Sequence, residues 1–440
     1  MAGGIRGLAQ PEHCLPTLFK FLHAADLHLD SPLRGLDRYE GAPVDAIRQA
    51  TRRAVENLVS LAIEERVAFV LIAGDLYDGN WKDFKTGQFF VRQMNTLRDA
   101  GIDIYFIRGN HDAESVITKS LNLPDNVFGF ETAKATTQIH EPSGTAIHGQ
   151  SFARRSITAD LSAGYPDHVT GQFNIGLLHT SAAGYSDHET YAPCTVEGLC
   201  SRGYDYWALG HVHARQTLSD NGQIVAFSGN TQGRHMRETG PKGCLLVTVD
   251  GGVPQTEFRA LDVFRWERVT ADAGQCDHPD DVLAAIASEL RCVVADAEGR
   301  TTAARIEVVG RCEAHGRLAE DTERWEHEAR AIAEREVGES VWVEKVRFAT
   351  APPANVDDAL ADGPLADLRQ LIAIAESDNA LLHELAGELS DLQKKLPREI
   401  REFLLSERSA ASSIDDPEWF RPFAADAGRL LLARLTEREP

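Results

Sequence analysis

Long hydrophobic runs are missing from this chain. No stretch of about 18 consecutive apolar residues occurs in the 440-residue sequence, which excludes a membrane-spanning helix of ordinary length. Met1 to Pro16 has no apolar core of signal-peptide length. Both absences lead to the expectation of a cytoplasmic protein with no membrane contact. Paired cysteines are missing too. The seven cysteines, Cys14, Cys194, Cys200, Cys244, Cys276, Cys292 and Cys312, are scattered, odd in number and without a Cys-x-x-Cys pair. That spacing argues against a zinc ribbon or a disulfide framework, and reduced, mostly buried thiols are expected. Internal repeats and low-complexity tracts are absent.

Positive charge is scarce: 45 Lys and Arg stand against 67 Asp and Glu, a net charge of −22. The deficit is uneven, with 30 acids and 24 bases in residues 1–265 but 37 and 21 in residues 266–440. An acidic field opposes nucleic acid, because affinity for DNA comes largely from neutralising phosphates. A DNA-binding role therefore requires a local basic groove, bound divalent cations or a basic partner.

What is present is the layout of an α/β protein. Leu18 to Ala24 predicts a strand, Val44 to Ile63 a helix, Val67 to Ala73 a buried strand, Phe84 to Leu97 a helix and Ile102 to Ile107 a third strand. This β-α-β-α-β order implies a layered sheet with right-handed crossovers. Mainly strands follow: Phe173 to Leu178, Tyr204 to Leu209, Ile224 to Phe227 and Cys244 to Val249, which suggest a second sheet packed on the first. A boundary is expected near residue 265. Beyond it, strands at Trp266 to Thr270, Ala304 to Val309 and Val341 to Phe348 interleave with helices at Asp280 to Leu290 and Leu318 to Glu336, a small α+β module over residues 266–350. Pro352 and Pro353 mark a linker, and residues 356–440 are helix-rich and acidic.

The chemistry-bearing residues sit where strands end. Asp26 and His28 follow the first strand, Gly74 and Asp75 the second, and Gly109, Asn110, His111 and Asp112 the third. His179 closes the strand from Phe173, while His211 and His213 follow the strand from Tyr204. Ligands gather at the carboxyl ends of strands in open α/β sheets. Alternate residues such as Asp26 and His28, or His211 and His213, point the same way from an extended segment. A single carboxylate, Asp75, can bridge two cations, and mixed imidazole and carboxylate donors suit Mn, Fe or Zn better than Ca or Mg. Two such cations can clamp a phosphate and activate water. Any one of these motifs alone fits an ordinary turn as well as a ligand site, since Asp, Asn and Gly commonly follow strands. All five in order favour the ligand site.

These motifs resemble the calcineurin-like metallophosphoesterase signature. The opening Phe21-Leu22-His23-Ala24-Ala25-Asp26-Leu27-His28-Leu29-Asp30-Ser31-Pro32 is similar to the SbcD/YhaO branch of DNA repair exonucleases. The resemblance implies a two-sheet sandwich flanked by helices, then a capping module and a helical C-terminal region. It implies that Asp26, His28 and His213 hold one metal, that Asn110, His179 and His211 hold the other, and that Asp75 bridges them. His111 would face the phosphate and protonate the leaving oxygen, with Asp112 orienting it. Manganese is the metal the family implies. One departure stands out: related nucleases often carry a histidine where this chain has Asp78, which leaves the nuclease expectation weaker than the metal one.

Arg34, Lys82, Lys85, Arg108, Arg154, Arg155, Arg215, Arg234 and Arg237 lie near the motif loops. They form either a phosphate-binding groove, with Arg108, Arg154, Arg215 and Arg234 as its contacts, or an ordinary solvated surface. His148 ends an apolar run and His23 lies inside the first strand; both read as structural. The C-terminal run from Trp419 to Phe423, with Leu430 to Leu432 and Leu435, either packs on the chain's own core or docks a partner helix. The resemblance favours a coiled-coil, SMC-like ATPase as that partner, DNA as substrate and a homodimer as assembly. Two rivals remain: a phosphoesterase acting on nucleotides, phosphoproteins or small phosphodiesters, and a non-catalytic scaffold that regulates an ATPase.

Overall fold

In a computed structural model, residues 18–31, 41–78, 84–114, 122–182, 192–353, 364–388, 421, 424–425, 427–428 and 431 are described. The chain divides into two compact units, Met1–Glu267 with Ala297–Ala303, and Arg268–Asp296 with Ala304–Pro440.

The first unit begins with β1 (Leu18–Ala24), α1 (Val44–Glu64), β2 (Phe69–Ala73), α2 (Phe84–Asp99) and β3 (Asp103–Ile107). Two short strands, β4 (Val127–Gly129) and β5 (Thr136–His140), lead to β6 (Thr145–Gly149), β7 (Phe173–His179), α3 (Val196–Cys200) and β8 (Tyr206–Gly210). Then come β9 (Gln216–Asp220), β10 (Ile224–Phe227), β11 (Gly243–Asp250) and β12 (Val253–Ala260). One six-stranded sheet runs β12-β11-β1-β2-β3-β4 and a second runs β5-β6-β7-β8-β10-β9. The motif-bearing strands β1, β2 and β3 are parallel neighbours, as are β7 and β8. Their carboxyl ends therefore share one edge of each sheet.

Period-2 alternation explains the layers. Phe21, Phe69, Leu71, Tyr105 and Ile107 point from the first sheet into a core shared with Ile147, Ile175, Leu177, Tyr206 and Ala208 of the second. Leu22, Val70, Ile72, Ile104 and Phe106 point the other way, onto Ala54, Val55 and Leu58 of α1 and Phe90, Met94 and Leu97 of α2. Both faces of β2 are thus covered, which is why it reads as an unbroken apolar run. The outer face of the second sheet buries Trp207, Leu209 and Phe227 against Leu199 of α3 and Tyr204.

The second unit is built on a three-stranded sheet of β13 (Phe264–Asp272), β14 (Thr301–Arg311) and β15 (Val341–Ala351), in that order. Ala304, Ile306, Val308, Val341, Val343 and Val346 pack against α4 (Pro279–Asp296), α5 (His315–Glu320) and α6 (Thr322–Val337). The single helix expected from Leu318 is broken at Asp321, whose carboxylate accepts from Arg324 N at 3.2 Å and starts a new helix as its cap. Two further helices, α7 (Pro364–Ser377) and α8 (Asn379–Glu388), follow. Most of the apolar C-terminal run, Trp419, Phe420, Phe423, Leu430, Leu432 and Leu435, lies outside the described residues, as do Arg34 and Lys82. Among the described residues no helix is long and apolar enough to cross a membrane.

Candidate metal centre

Backbone geometry brings the motifs together. Asp26, His28, Asp75 and His211 all have positive φ, at 51°, 41°, 52° and 100°. The expectation that Asp26 and His28, and His211 and His213, sit on extended segments is therefore corrected: Asp26, His28 and His211 have left-handed φ, a conformation that Asp and His tolerate better than most side chains. The strain is held by a zipper of backbone bonds, in which Asp26 N donates to Gly74 O at 3.0 Å, His28 N to Asp75 O at 3.0 Å and Leu29 N to Leu76 O at 2.9 Å. Such over-determined strain is typical of functional sites. Two glycines leave the room that the donors fill. A Cβ on Gly109 would lie 2.2 Å from Asp75 Oδ1, and one on Gly74 would lie 2.5 Å from His179 Nδ1.

Donor atoms of Asp26, His28 and His213 converge, all within 4.8 Å of one another, and so do those of Asp26, Asp75 and His179. Asp75 lies between the histidines of the two groups, its Oδ2 3.9 Å from His28 Nε2 and 3.5 Å from His179 Nε2. Its Oδ1 accepts from His111 N at 3.0 Å. Asn110 joins the second group, with Oδ1 2.9 Å from His179 Nε2. His211 belongs to neither group of converging atoms. Its backbone N donates to the Asp26 carboxylate at 3.0 Å, and its ring meets that of His179 edge-on at 5.2 Å.

The hydrogen-bond pattern tests whether these residues suit cations. His179 Nδ1 lies 2.9 Å from Ala73 O, a pure acceptor, so the proton sits on Nδ1. Nε2 is then a bare lone pair, yet it faces two more acceptors, Asn110 Oδ1 and Asp75 Oδ2. His213 repeats the pattern: Nδ1 donates to Glu238 Oε1 at 2.7 Å, and Nε2 faces His28 Nε2 at 3.2 Å. The Nε2 lone pairs of His179 and His213, each held by a donated Nδ1 proton, are thus free to bind a divalent cation. Asp26, His28, Asp75, Asn110 and His179 are at most 3 % exposed. Burial pushes the Asp26 carboxyl up and the His28 imidazole well down, so the charged forms are costly without a counter-ion. The donor set fits divalent transition metals.

His111 stands beside this cluster, its ring edge-on to His28 at 5.0 Å. The expected partner of His111 is corrected. Asp112 does not orient it, because the Asp112 carboxylate is engaged by backbone N–H groups of Leu76, Tyr77 and Gly109 at 3.0, 3.0 and 3.1 Å. Asp112 instead ties the third motif to the second. The residue paired with His111 Nδ1 is Asp78, 2.7 Å away. Burial opposes ionisation of Asp78, but hydrogen bonds from His111 and Ser31 hold its carboxyl down at about 2. Burial likewise works to lower the His111 imidazole, but the bond to Asp78 together with the nearby charges of Asp75 and Asp78 raises it.

The basic residues separate. Arg234 is inside the site, with Nη1 3.6 Å from Asp78 Oδ2 and Nη2 3.1 Å from Glu238 Oε1. Arg215 is stacked on Phe258, 3.8 Å above the ring. Arg108 is half-buried, its backbone N donating to Ser151 Oγ at 3.0 Å, and Arg154 is exposed. His148 and His23 are structural: His148 lies between Thr137 Oγ1 and Asn174 Oδ1, and His23 between Tyr206 Oη and Leu209 O. Sequence reasoning missed Asp78 as the partner of His111 and missed Glu238 altogether. Asp78 was legible as the last residue of Gly74-Asp75-Leu76-Tyr77-Asp78. Glu238, 25 residues from His213 in an irregular segment, carried no motif.

A two-sheet sandwich with mixed His, Asp and Asn donors at its strand ends defines a metallophosphoesterase domain. Residues 19–215 match the family described as calcineurin-like phosphoesterase, and residues 266–351 match the middle domain of metallophosphoesterase YhaO. The chain thus carries a calcineurin-like metallophosphoesterase domain followed by a YhaO-type middle domain, homologous to Mre11 and SbcD proteins. The uncharacterized metallophosphoesterase YhaO of Bacillus subtilis (strain 168) is 39% identical over 260 residues, covering 58% of this chain and 64% of that protein. The DNA double-strand break repair protein Mre11 of Sulfurisphaera tokodaii is 25% identical over 271 residues, covering 57% of this chain and 65% of the relative. The SbcD component of the SbcCD nuclease of Bacillus subtilis is 24% identical over 297 residues, with coverages of 58% and 70%. The chain spans a little under two thirds of the length of the first two relatives. Calcineurin-like phosphoesterases use divalent metals, and the clusters around Asp75 are where this chain offers donors for them.

Proposed function

We propose that this protein is a two-metal phosphodiesterase acting as a DNA exonuclease in repair, with manganese as its metal and an SMC-like ATPase as its partner. The observation that carries the chemistry is the convergence of two donor groups on either side of Asp75. Asp26, His28 and His213 would hold one ion, Asn110, His179 and His211 the other, and Asp75 would be shared by both. When bound, such ions supply positive charge for a phosphoryl oxygen and a more acidic water. The chain's own residues do the rest. With Nδ1 committed to Asp78, His111 has Nε2 left to give a proton to the departing sugar oxygen. Asp78 holds the imidazole and stabilises its charged form, and Arg234 adds a cation on the same side. Residues 1–265 carry this chemistry in the proposal, residues 266–350 form a cap, and residues 356–440 dock the partner. The name of the Mre11 relative supports the choice of DNA, and that of the SbcCD relative supports nuclease activity.

The second reading is hydrolysis of small phosphodiesters or nucleotides. It is favoured by the net charge of −22 and by Asp78 in the place where related nucleases carry a histidine. One assay separates the two: manganese-dependent release of nucleotides from end-labelled DNA, run beside a chromogenic diester, with and without the ATPase. Cleavage of DNA lost with His111→Leu supports the first reading, while turnover of the small diester alone supports the second. An enzyme inert on both substrates with manganese bound supports the scaffold rival.

A further inference from the structure

Glu238 lies on no strand or helix, yet it is one of the most heavily hydrogen-bonded carboxylates in the first unit. It is 5 % exposed and accepts from His213 Nδ1 at 2.7 Å, Asn230 Nδ2 at 3.0 Å, Arg234 N at 2.8 Å and Arg234 Nη2 at 3.1 Å. Arg234 Nη2 also approaches His213 Nδ1 at 3.3 Å, but both atoms are donors, so the carboxylate takes both protons. Through its other nitrogen, Arg234 reaches Asp78, the partner of His111. A continuous chain therefore runs from His213 through Glu238 and Arg234 to Asp78 and His111.

We propose that Glu238 is a positioning residue for the metal site. It fixes His213 with its proton on Nδ1 and its Nε2 lone pair turned toward Asp26 and His28, while Arg234 locks that carboxylate to the Asp78–His111 pair. The inference rests on the metal reading above. Carboxylates behind ligand histidines set ring orientation and tautomer, and their loss typically weakens metal binding about 10–100-fold. A role confined to bracing the 230–238 segment would leave metal affinity where it was once the protein is folded.

The test is calorimetric titration of Mn2+ into metal-free full-length protein, comparing wild type, Glu238→Gln, His213→Gln and the double variant. Glu238→Gln is expected to weaken one binding event about 10–100-fold. In the His213→Gln background it is expected to add nothing further, because it acts through that ring. Unchanged affinity in Glu238→Gln, or effects of the two substitutions that multiply, would overturn the proposal. Should Glu238→Gln fail to fold in EDTA, nitrogen NMR of metal-free wild type reads the tautomer directly. His213 protonated on Nδ1 supports the role and protonation on Nε2 overturns it. Wild-type protein that takes up no Mn2+ overturns the metal reading itself, and this inference with it, whereas wild-type binding matched by Glu238→Gln overturns this inference alone.

Discussion

Gly109→Ala puts one methyl group against the Asp75 carboxylate. Its Cβ would fall 2.2 Å from Asp75 Oδ1, 2.8 Å from Asp75 Cγ and 2.8 Å from Asp75 N. Ordinary carbon contacts begin near 3.5 Å, so the carboxylate must retreat by about 1 Å. A side-chain swing alone does not relieve the clash, since the backbone nitrogen of Asp75 is also too close. That backbone is already left-handed and tied to His28 N. Overpacking of this kind costs about 1–3 kcal/mol of stability, and a misplacement of about 1 Å in a catalytic group costs roughly 100-fold in rate. The assay is manganese-dependent hydrolysis of a chromogenic phosphodiester, read alongside the thermal midpoint. Gly164→Ala is the control, because a Cβ there meets nothing within 4 Å. Its stability is expected to stay within about 0.5 kcal/mol of wild type. A Gly109→Ala protein that turns over like wild type would refute the close-packed geometry of Asp75.

His111→Leu is expected to lower kcat about 100–10,000-fold while leaving Mn2+ affinity intact, since His111 converges with His28 and Asp78 but not with Asp75, and its Nδ1 is taken by Asp78 at 2.7 Å; equal loss of metal in calorimetry would contradict this. Asp262→Ala removes the buried carboxylate that Arg265 Nε meets at 3.0 Å and Arg300 Nε at 3.1 Å, so urea unfolding is expected to show a loss of about 3–5 kcal/mol. Burial pushes His23 down to about 3, against a weaker opposing bond to Leu209 O. Because the unfolded chain binds that proton near pH 6.5 and the folded chain does not, stability is fully present above pH 6.5 and falls as pH drops toward 3. The loss in metal-free protein is expected to reach a few kcal/mol, and a His23→Asn profile as steep as wild type would contradict the assignment.

The sandwich was legible because its strands are buried on both faces and read as short apolar runs; β1, β2, β3, β7 and β10 lie within two residues of where the pattern put them. The strands that escaped were edge or near-edge elements. Thr136–His140 and Gln216–Asp220 are polar, because an edge strand has only one covered face and packs little side-chain area. The donors were legible for a related reason. Ligands at strand ends stand beside strong strand signals, so Asp26, Asp75, Asn110 and His179 announce themselves by position. Orientation was not legible. Asp78 and Asp112 are both acids near the motifs that meet at His111, and only the three amides that Asp112 accepts show it to be spoken for. Glu238 and Arg234 reach the site through tertiary folding of an irregular segment, which no periodicity encodes.

Crystals of the full chain grown with Mn2+ and examined by anomalous diffraction test the central claim most directly. Two peaks about 3.5–4 Å apart, one against His28 and His213 and the other against Asn110 and His179, with Asp75 between them, are the expected result. A map with no peak at Asp75, or with manganese bound only elsewhere on the chain, would contradict it.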